Sequence, residues 1–191
     1  MYDYLRKRVS MKDTKVINIL GGPGVGKTTL AAELFMQLKK MGYEVENVSE
    51  FAKELVWEER TQAFSDRLYM HAEQNHRLMM MNGKLDYIIT DSPLILTSVY
   101  NSFYLKNVHS DSYNAMIDQM VLETWKLYDN VVFLLPRQND YHSLGRRESE
   151  NEAKIIDNYL NAYLIQNGIN YMTIKNRDNA VNEILEVLRI R

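Results

Sequence analysis

Val16-Ile17-Asn18-Ile19-Leu20-Gly21-Gly22-Pro23-Gly24-Val25-Gly26-Lys27-Thr28 is the stretch from which the rest of the chain is read. Its first five residues are short, β-branched and nearly all apolar, the pattern of a buried parallel strand. Gly21 to Thr28 then fit G-x-x-x-x-G-K-[ST], the P-loop pattern that cradles phosphate. Beyond it, Leu30, Leu34, Leu38 and Met41 recur at helical spacing and Gly42 stands where a helix ends. The bare pattern arises by chance in roughly one chain in a hundred of this size, so the strand before it and the helix after it are what give it weight.

The residue types follow from phosphate chemistry. Glycines let successive amides approach one phosphate while the positive end of the next helix faces it. Lys27 brings a mobile cation to the β- and γ-phosphates and is expected to be exposed in the empty loop. The Thr28 hydroxyl is the expected Mg²⁺ ligand. Gly22, Gly24, Val25, Gly26, Lys27, Thr28 and Thr29 are thus the nucleotide-binding positions. The dinucleotide fingerprint G-x-G-x-x-G does not fit, because Lys27 stands three residues after Gly24. A glycine turn beside a surface lysine is the competing reading.

Working outward, strand-like runs at 43–48, 87–90, 131–135 and 171–174 are separated by helical spacing over 51–60, 66–82, 94–104, 116–125, 150–168 and 181–188. Asp91-Ser92-Pro93 reads as a helix cap followed by Pro at the first helical position. Ser149 and Glu152 form a capping box. Strands alternating with helices predict an α/β fold, a parallel sheet covered on both faces.

Composition narrows the class. The chain has 191 residues, enough for one domain, taken as 14–191 after an extension at 1–13. It is 46% hydrophobic and 25% charged, which argues against a disordered or fibrous chain. Lys plus Arg number 23 against 25 Asp plus Glu, so no bulk positive field favours nucleic acid or anionic lipid. The absence of cysteine excludes thiol nucleophiles, iron-sulfur clusters and Cys-based zinc sites, and makes the cytosol the natural compartment. No apolar run is long enough for a membrane span.

The other strand ends decide how a bound phosphate is used. Asp91 ends the third strand at the ligand-binding edge of a parallel sheet, placed to hold Mg²⁺ or a substrate hydroxyl, unless it only caps the next helix. Glu50 follows the second strand at the same edge and can take a proton from an attacking hydroxyl. Its competing reading is a charge at a helix N-terminus. The polar segment from Arg137 to Arg147 carries three arginines and reads as a lid, over about 137–150, that brings Arg137 to the nucleotide and Arg146 and Arg147 over a transferring phosphate. A solvated loop pairing with Glu148, Glu150 and Glu152 would look the same. On the helix from Asp66, Arg67, Gln74 and Arg77 can face an acceptor, Gln74 by reading an amide-like or base edge. His71 and His76 are five apart, off the spacing for a shared metal.

The P-loop, Ser49-Glu50-Phe51-Ala52-Lys53-Glu54, Thr90-Asp91-Ser92-Pro93-Leu94 and Gly145-Arg146-Arg147 before an acidic helix together resemble the P-loop nucleoside and nucleotide kinase superfamily. The nearest likeness is the ribosylnicotinamide-kinase-like group, which carries an AAA-type ATPase label and has many small phage-encoded members. That resemblance implies a three-layer, adenylate-kinase-like core with strand order 2-3-1-4-5 and a lid. It implies ATP and Mg²⁺ as cosubstrates and an acceptor site between Glu50, Asp91 and the helices of 51–82. The protein would then work in the cytoplasm, the host's if phage-encoded. Thymidylate and deoxynucleoside kinases place Arg just after the acid that ends the third strand. Ser92 stands there in this chain, which favours an acceptor without phosphate at that spot.

Three functions follow in order of expectation. The first is a kinase acting on a hydroxyl of a small nucleoside-like or nucleotide acceptor. The second is a polynucleotide kinase acting on a DNA or RNA 5'-hydroxyl or a hydroxymethylated base. The third is a P-loop ATPase or NTP-binding regulatory protein, for which the chain offers no trans-acting arginine finger and no second adenine-reading domain.

Overall fold

The computed structural model describes residues 12–105, 108–138 and 148–190. In chain order they form β1 (Lys15–Leu20), α1 (Lys27–Lys40), β2 (Val45–Val48), α2 (Phe51–Trp57), α3 (Arg67–Met81), β3 (Tyr87–Thr90), α4 (Leu96–Tyr104), α5 (Asp111–Trp125), β4 (Asp129–Leu134), α6 (Glu150–Gln166), β5 (Met172–Thr173) and α7 (Ala180–Val187). Short 3-10 turns at Thr61–Ser65 and Arg177–Asn179 lead into α3 and α7.

All pairings in the sheet are parallel and the order is β2-β3-β1-β4-β5, as the resemblance implied. β1 is central because it is apolar on both faces: Val16, Ile17, Ile19 and Leu20 are fully buried. Alternate side chains leave a strand on opposite sides. Ile17 and Ile19 pack with Leu34 and Leu38 of α1 and Ile184 of α7. Val16 meets Leu78 of α3 and Leu94. Leu20 meets Val99, Val121 and Leu160 of α4, α5 and α6. Two helices therefore cover one face and four the other. With β3 on one side of β1 and β4 on the other, the chain leaves the sheet in opposite directions there, and the crevice at the strand ends opens beside the P-loop.

Helix ends follow the sequence signals in part. The Ser149–Glu152 capping box is formed at the start of α6, and the Asp66 carboxylate accepts from Tyr69 N at 3.0 Å. Each such cap is worth about 1 kcal/mol. The structure corrects four readings. α5 begins at Asp111, because the Ser110 hydroxyl accepts from Tyr113 N and starts a helix inside what reads as a loop. α2 ends at Trp57 and not at 60. β5 has only two residues, both exposed, since an edge strand buries little. The helix after Pro93 starts at Leu96, preceded by a turn in which Leu96 N donates to Pro93 O. Among the described residues no helix is long and apolar enough to cross a membrane.

Candidate active site

The P-loop is held from outside by two arginines. Arg137 Nη1 donates to Pro23 O at 2.9 Å, and Arg177 Nη1 donates to Val25 O. In a trans peptide the C=O and the N–H point in opposite directions. Carbonyls turned toward the arginines therefore turn the amides of Gly24 and Gly26 the other way, leaving them directed away from both guanidinium groups. Arg137 is itself fixed by Asp157 on α6, Nε to Oδ2 at 2.8 Å. This packing explains two glycines. A Cβ on Gly22 would run into the Asp157 carboxylate, and one on Gly26, at φ 94°, would run into the Arg177 guanidinium. Gly26 is also the N-cap of α1 and provides no side chain to its amides, which leaves that end suited to an anion.

Lys27 is half-buried rather than exposed, because its Nζ donates to Gly22 O at 2.9 Å and the loop wraps it. Thr28 Oγ1 donates to Asp91 Oδ2 at 2.6 Å, across 63 positions of sequence. Asp91 is thus tied to the P-loop and is not the cap of α4, whose N-cap residue is Ile95. The cap reading fails because Pro93 to Ile95 form a turn before the helix begins. Thr29, the last nucleotide-binding position expected from sequence, is exposed and lies on a second hollow of about 250 Å³ with Glu33, Arg177 and Asp178.

Lys27, Thr28 and Asp91 also line a cavity of about 440 Å³, within the range of small-molecule sites. Glu50 enters it from the turn between β2 and α2. Its backbone is extended (φ −69°, ψ 115°) and its carboxylate makes no capping bond to α2. Burial pushes the Glu50 carboxyl above its ordinary range. Lys27 and Lys53 oppose that rise, whereas Asp91 and Glu148 add to it. A carboxylate biased this way accepts a proton more readily than an exposed one.

The cavity's far walls are aromatic, with Phe51, Trp57, Phe64, Tyr100 and Tyr104 among them. Arg67 is buried in the same cavity, its guanidinium carbon 5.8 Å from the Tyr104 ring centre. The Tyr104 hydroxyl donates to Glu148 Oε1 at 2.6 Å. Burial also raises Tyr100 well above the usual phenol range, with Glu50 and Glu148 adding to the shift. Gln74 lines the cavity too, but its amide is bonded to backbone: Oε1 accepts from Phe51 N at 3.1 Å and Nε2 donates to Ser49 O at 3.4 Å. Arg77 is not in the lining. It grips Glu54 with two bonds of 2.6 Å and lies over the Phe51 ring.

Three of these participants escaped the sequence reading as site residues. Arg177 follows β5 at the same sheet edge as Glu50 and Asp91, so the strand-end rule that found those two also points to it. Asp157 lies on the α6 face that turns toward Arg137. Glu148 is known only as a loop partner until Tyr104, on a helix far away in sequence, is placed beside it. Arg146 and Arg147, expected over the transferring phosphate, lie outside the described residues. His71 is buried between Thr97 (3.3 Å) and Thr124 (2.8 Å).

Among proteins of known identity, the adenylate kinase of Methanocaldococcus jannaschii is 26% identical over 92% of this chain and 98% of its own length. Among solved structures, the NadR protein in complex with NR superposes with a TM-score of 0.72 at 18% identity. That match covers 94% of this chain, which spans about half (53%) of the NadR chain. Deoxyadenosine kinase from M. mycoides with bound dATP gives a TM-score of 0.61 at 21% identity, over 91% and 98% of the two chains. These likenesses show the P-loop kinase fold. The pattern of the family described as an AAA domain matches residues 16–180. Because that match takes in β1, the P-loop and every strand of the sheet, the chain belongs to the AAA domain family.

Proposed function

We propose that this protein is a kinase that transfers the γ-phosphate of ATP to a hydroxyl of a small nucleoside-like acceptor. The observation that carries the reading is one cavity lined at once by Lys27 and Thr28 of the P-loop and by Glu50 and Asp91 from two other strand ends. The names of the relatives above, two kinases and a protein solved in complex with NR, support it. In the transfer, the acceptor oxygen bonds to the γ-phosphorus and the bond to the β–γ bridging oxygen breaks, releasing ADP. The acceptor proton goes to the Glu50 carboxylate, whose affinity for it burial has raised. Lys27 gives up its bond to Gly22 O for the phosphate oxygens, and the amides of Gly24 and Gly26 hold them in place.

Thr28 and Asp91 suit Mg²⁺. Both offer hard oxygens, and since the Thr28 proton is directed at Asp91, the lone pairs of the hydroxyl stay available to a cation. When bound, the ion neutralises charge on the triphosphate. On the acceptor side, the aromatic walls suit a planar base, and Ser92 rather than an arginine after Asp91 favours a nucleoside over a nucleotide.

The deciding experiment follows labelled γ-phosphate from ATP into a panel of nucleosides, nucleoside monophosphates and hydroxymethylated or 5'-hydroxyl DNA. Label on a nucleoside is expected. Label on DNA would replace this reading with a polynucleotide kinase, and label released only as inorganic phosphate would make the protein an ATPase.

A further inference from the structure

The β2–α2 corner that carries Glu50 is gripped by α3 at two points, and the grip is built from groups that the transfer itself does not use. Phe51 N is the first amide of α2 and has no partner within the helix. Glu50, the N-cap, gives it none. Gln74 Oε1, from 23 positions along the chain, accepts its proton at 3.1 Å. The same side chain donates from Nε2 to Ser49 O at 3.4 Å, so one buried amide holds the peptide groups on both sides of Glu50.

One turn on, and so on the same side of α3, Arg77 makes its two 2.6 Å bonds to Glu54 and reaches Ser49 Oγ at 3.4 Å. Its guanidinium carbon lies 5.0 Å from the Phe51 ring centre. Arg77 thus braces the outside of the corner, and Gln74 braces the inside, where the cavity is. A side chain reading an acceptor's edge presents its amide to the acceptor, whereas Gln74 Oε1 and Nε2 each already serve a backbone group of this corner.

We infer that Gln74 is a positioning residue for Glu50: its amide fixes the backbone on either side of residue 50 and so sets where the carboxylate stands in the cavity. The inference rests on the proposed role of Glu50. Its consequence is kinetic. A misplacement of about 1 Å at a reacting group costs on the order of a hundredfold in rate, whereas the aromatic walls supplied by Phe64, Tyr100 and Tyr104 keep their places and continue to bind the acceptor.

The test compares Gln74→Met, close in volume but unable to make either bond, in the natural chain and in a Glu50→Gln background. The acceptor is the nucleoside giving most transfer in the panel above. Gln74→Met is expected to lower kcat about tenfold to thirtyfold and leave the acceptor KM within about twofold. In the Glu50→Gln background the same change is expected to alter kcat less than twofold, since no carboxylate is left to position. Amide exchange at Phe51, followed by NMR without any acceptor, is expected to speed up at least about tenfold.

An acceptor KM that rises tenfold with kcat kept would show that Gln74 touches the acceptor and overturn the inference. Equal losses in both backgrounds would overturn it as well. If Gln74→Met does not fold, Gln74→Glu, which keeps an acceptor for Phe51 N–H and loses the donor to Ser49 O, is read by the kcat and KM criteria in the two backgrounds. A Glu50→Gln protein of full activity would remove the base itself, a different failure that the unaltered Phe51 exchange result would leave distinguishable.

Discussion

The two ends of the cavity are built in opposite ways. The proposed phosphate end is a contiguous loop, Gly21 to Thr28, that would work through backbone amides and one lysine. The acceptor end draws Glu50 from a β2–α2 turn, Gln74 and Arg67 from α3, Tyr100 and Tyr104 from α4, and Glu148 from just before α6. Backbone chemistry over eight consecutive residues tolerates few sequences, which is why a pattern finds it. A side-chain site gathered from four regions tolerates many, which leaves it open to different acceptors on one scaffold. The same contrast governs how each end should fail.

The largest effect is expected at the phosphate end. Lys27→Ala should lower transfer by about a thousandfold or more and leave the melting temperature close to that of the natural chain, because the lysine's own bond is to a loop carbonyl and not to the core. A folded variant that retained its rate would break the comparison at once, since the loop would then not be the phosphate site. Asp91→Asn comes next, at about a hundredfold, and it joins the two ends through Thr28. Its loss should shrink as Mg²⁺ concentration is raised. A fall in melting temperature without loss of activity would instead assign Asp91 a structural role.

Arg177→Ala sharpens the phosphate end further. Without its bond to Val25 O the Gly26 amide is no longer held in its orientation, so the ATP dissociation constant should rise about tenfold. The acceptor KM should not move. Equal changes in both would mean that the arginine acts on the cavity as a whole.

The smallest effect concerns the wall behind the acceptor end and is read in stability. The Thr124 hydroxyl proton goes to Met120 O, so its oxygen accepts from His71 Nε2–H, and burial of the ring favours its neutral form. Burial pulls the His71 pKa down to about 4 from an ordinary 6.5. Between those values the unfolded chain binds the proton and the folded chain does not, so stability falls on acidification from neutral pH, by about 3 kcal/mol once pH 4 is reached. Acid melts of His71→Gln should be flatter over that range than those of the natural chain. An identical acid limb would show that other groups control it.

Legibility followed range. The β1 strand, the α1 stripe and a parallel sheet were visible because hydrophobic spacing and the connection rules act locally or on whole elements, whereas the order of the strands came from the family resemblance. The α6 capping box was visible for the same reason, its two partners being three residues apart. Asp91 and Glu50 were singled out by their place at strand ends, a rule about topology, and both line the cavity, although the cap alternative for Asp91 fell only when Thr28 proved to hold it. Arg77 was expected in the acceptor site and stands outside it, paired with Glu54. Whether a helical arginine turns to a cavity or to a neighbouring carboxylate depends on the angle at which two helices meet, and no spacing within one helix records that.

By itself, then, the sequence determined a parallel α/β sheet with a phosphate loop at the end of its central strand, because apolar periodicity and glycine geometry are properties of neighbouring residues. Tertiary structure alone decided that Arg137 and Arg177 hold the loop from outside, that Glu148 meets Tyr104, and that the amide of Gln74 is bonded to the backbone around Glu50. Each of those contacts joins residues 23 to 152 positions apart, and it is the packing of whole elements on the sheet that brings such partners within hydrogen-bonding distance.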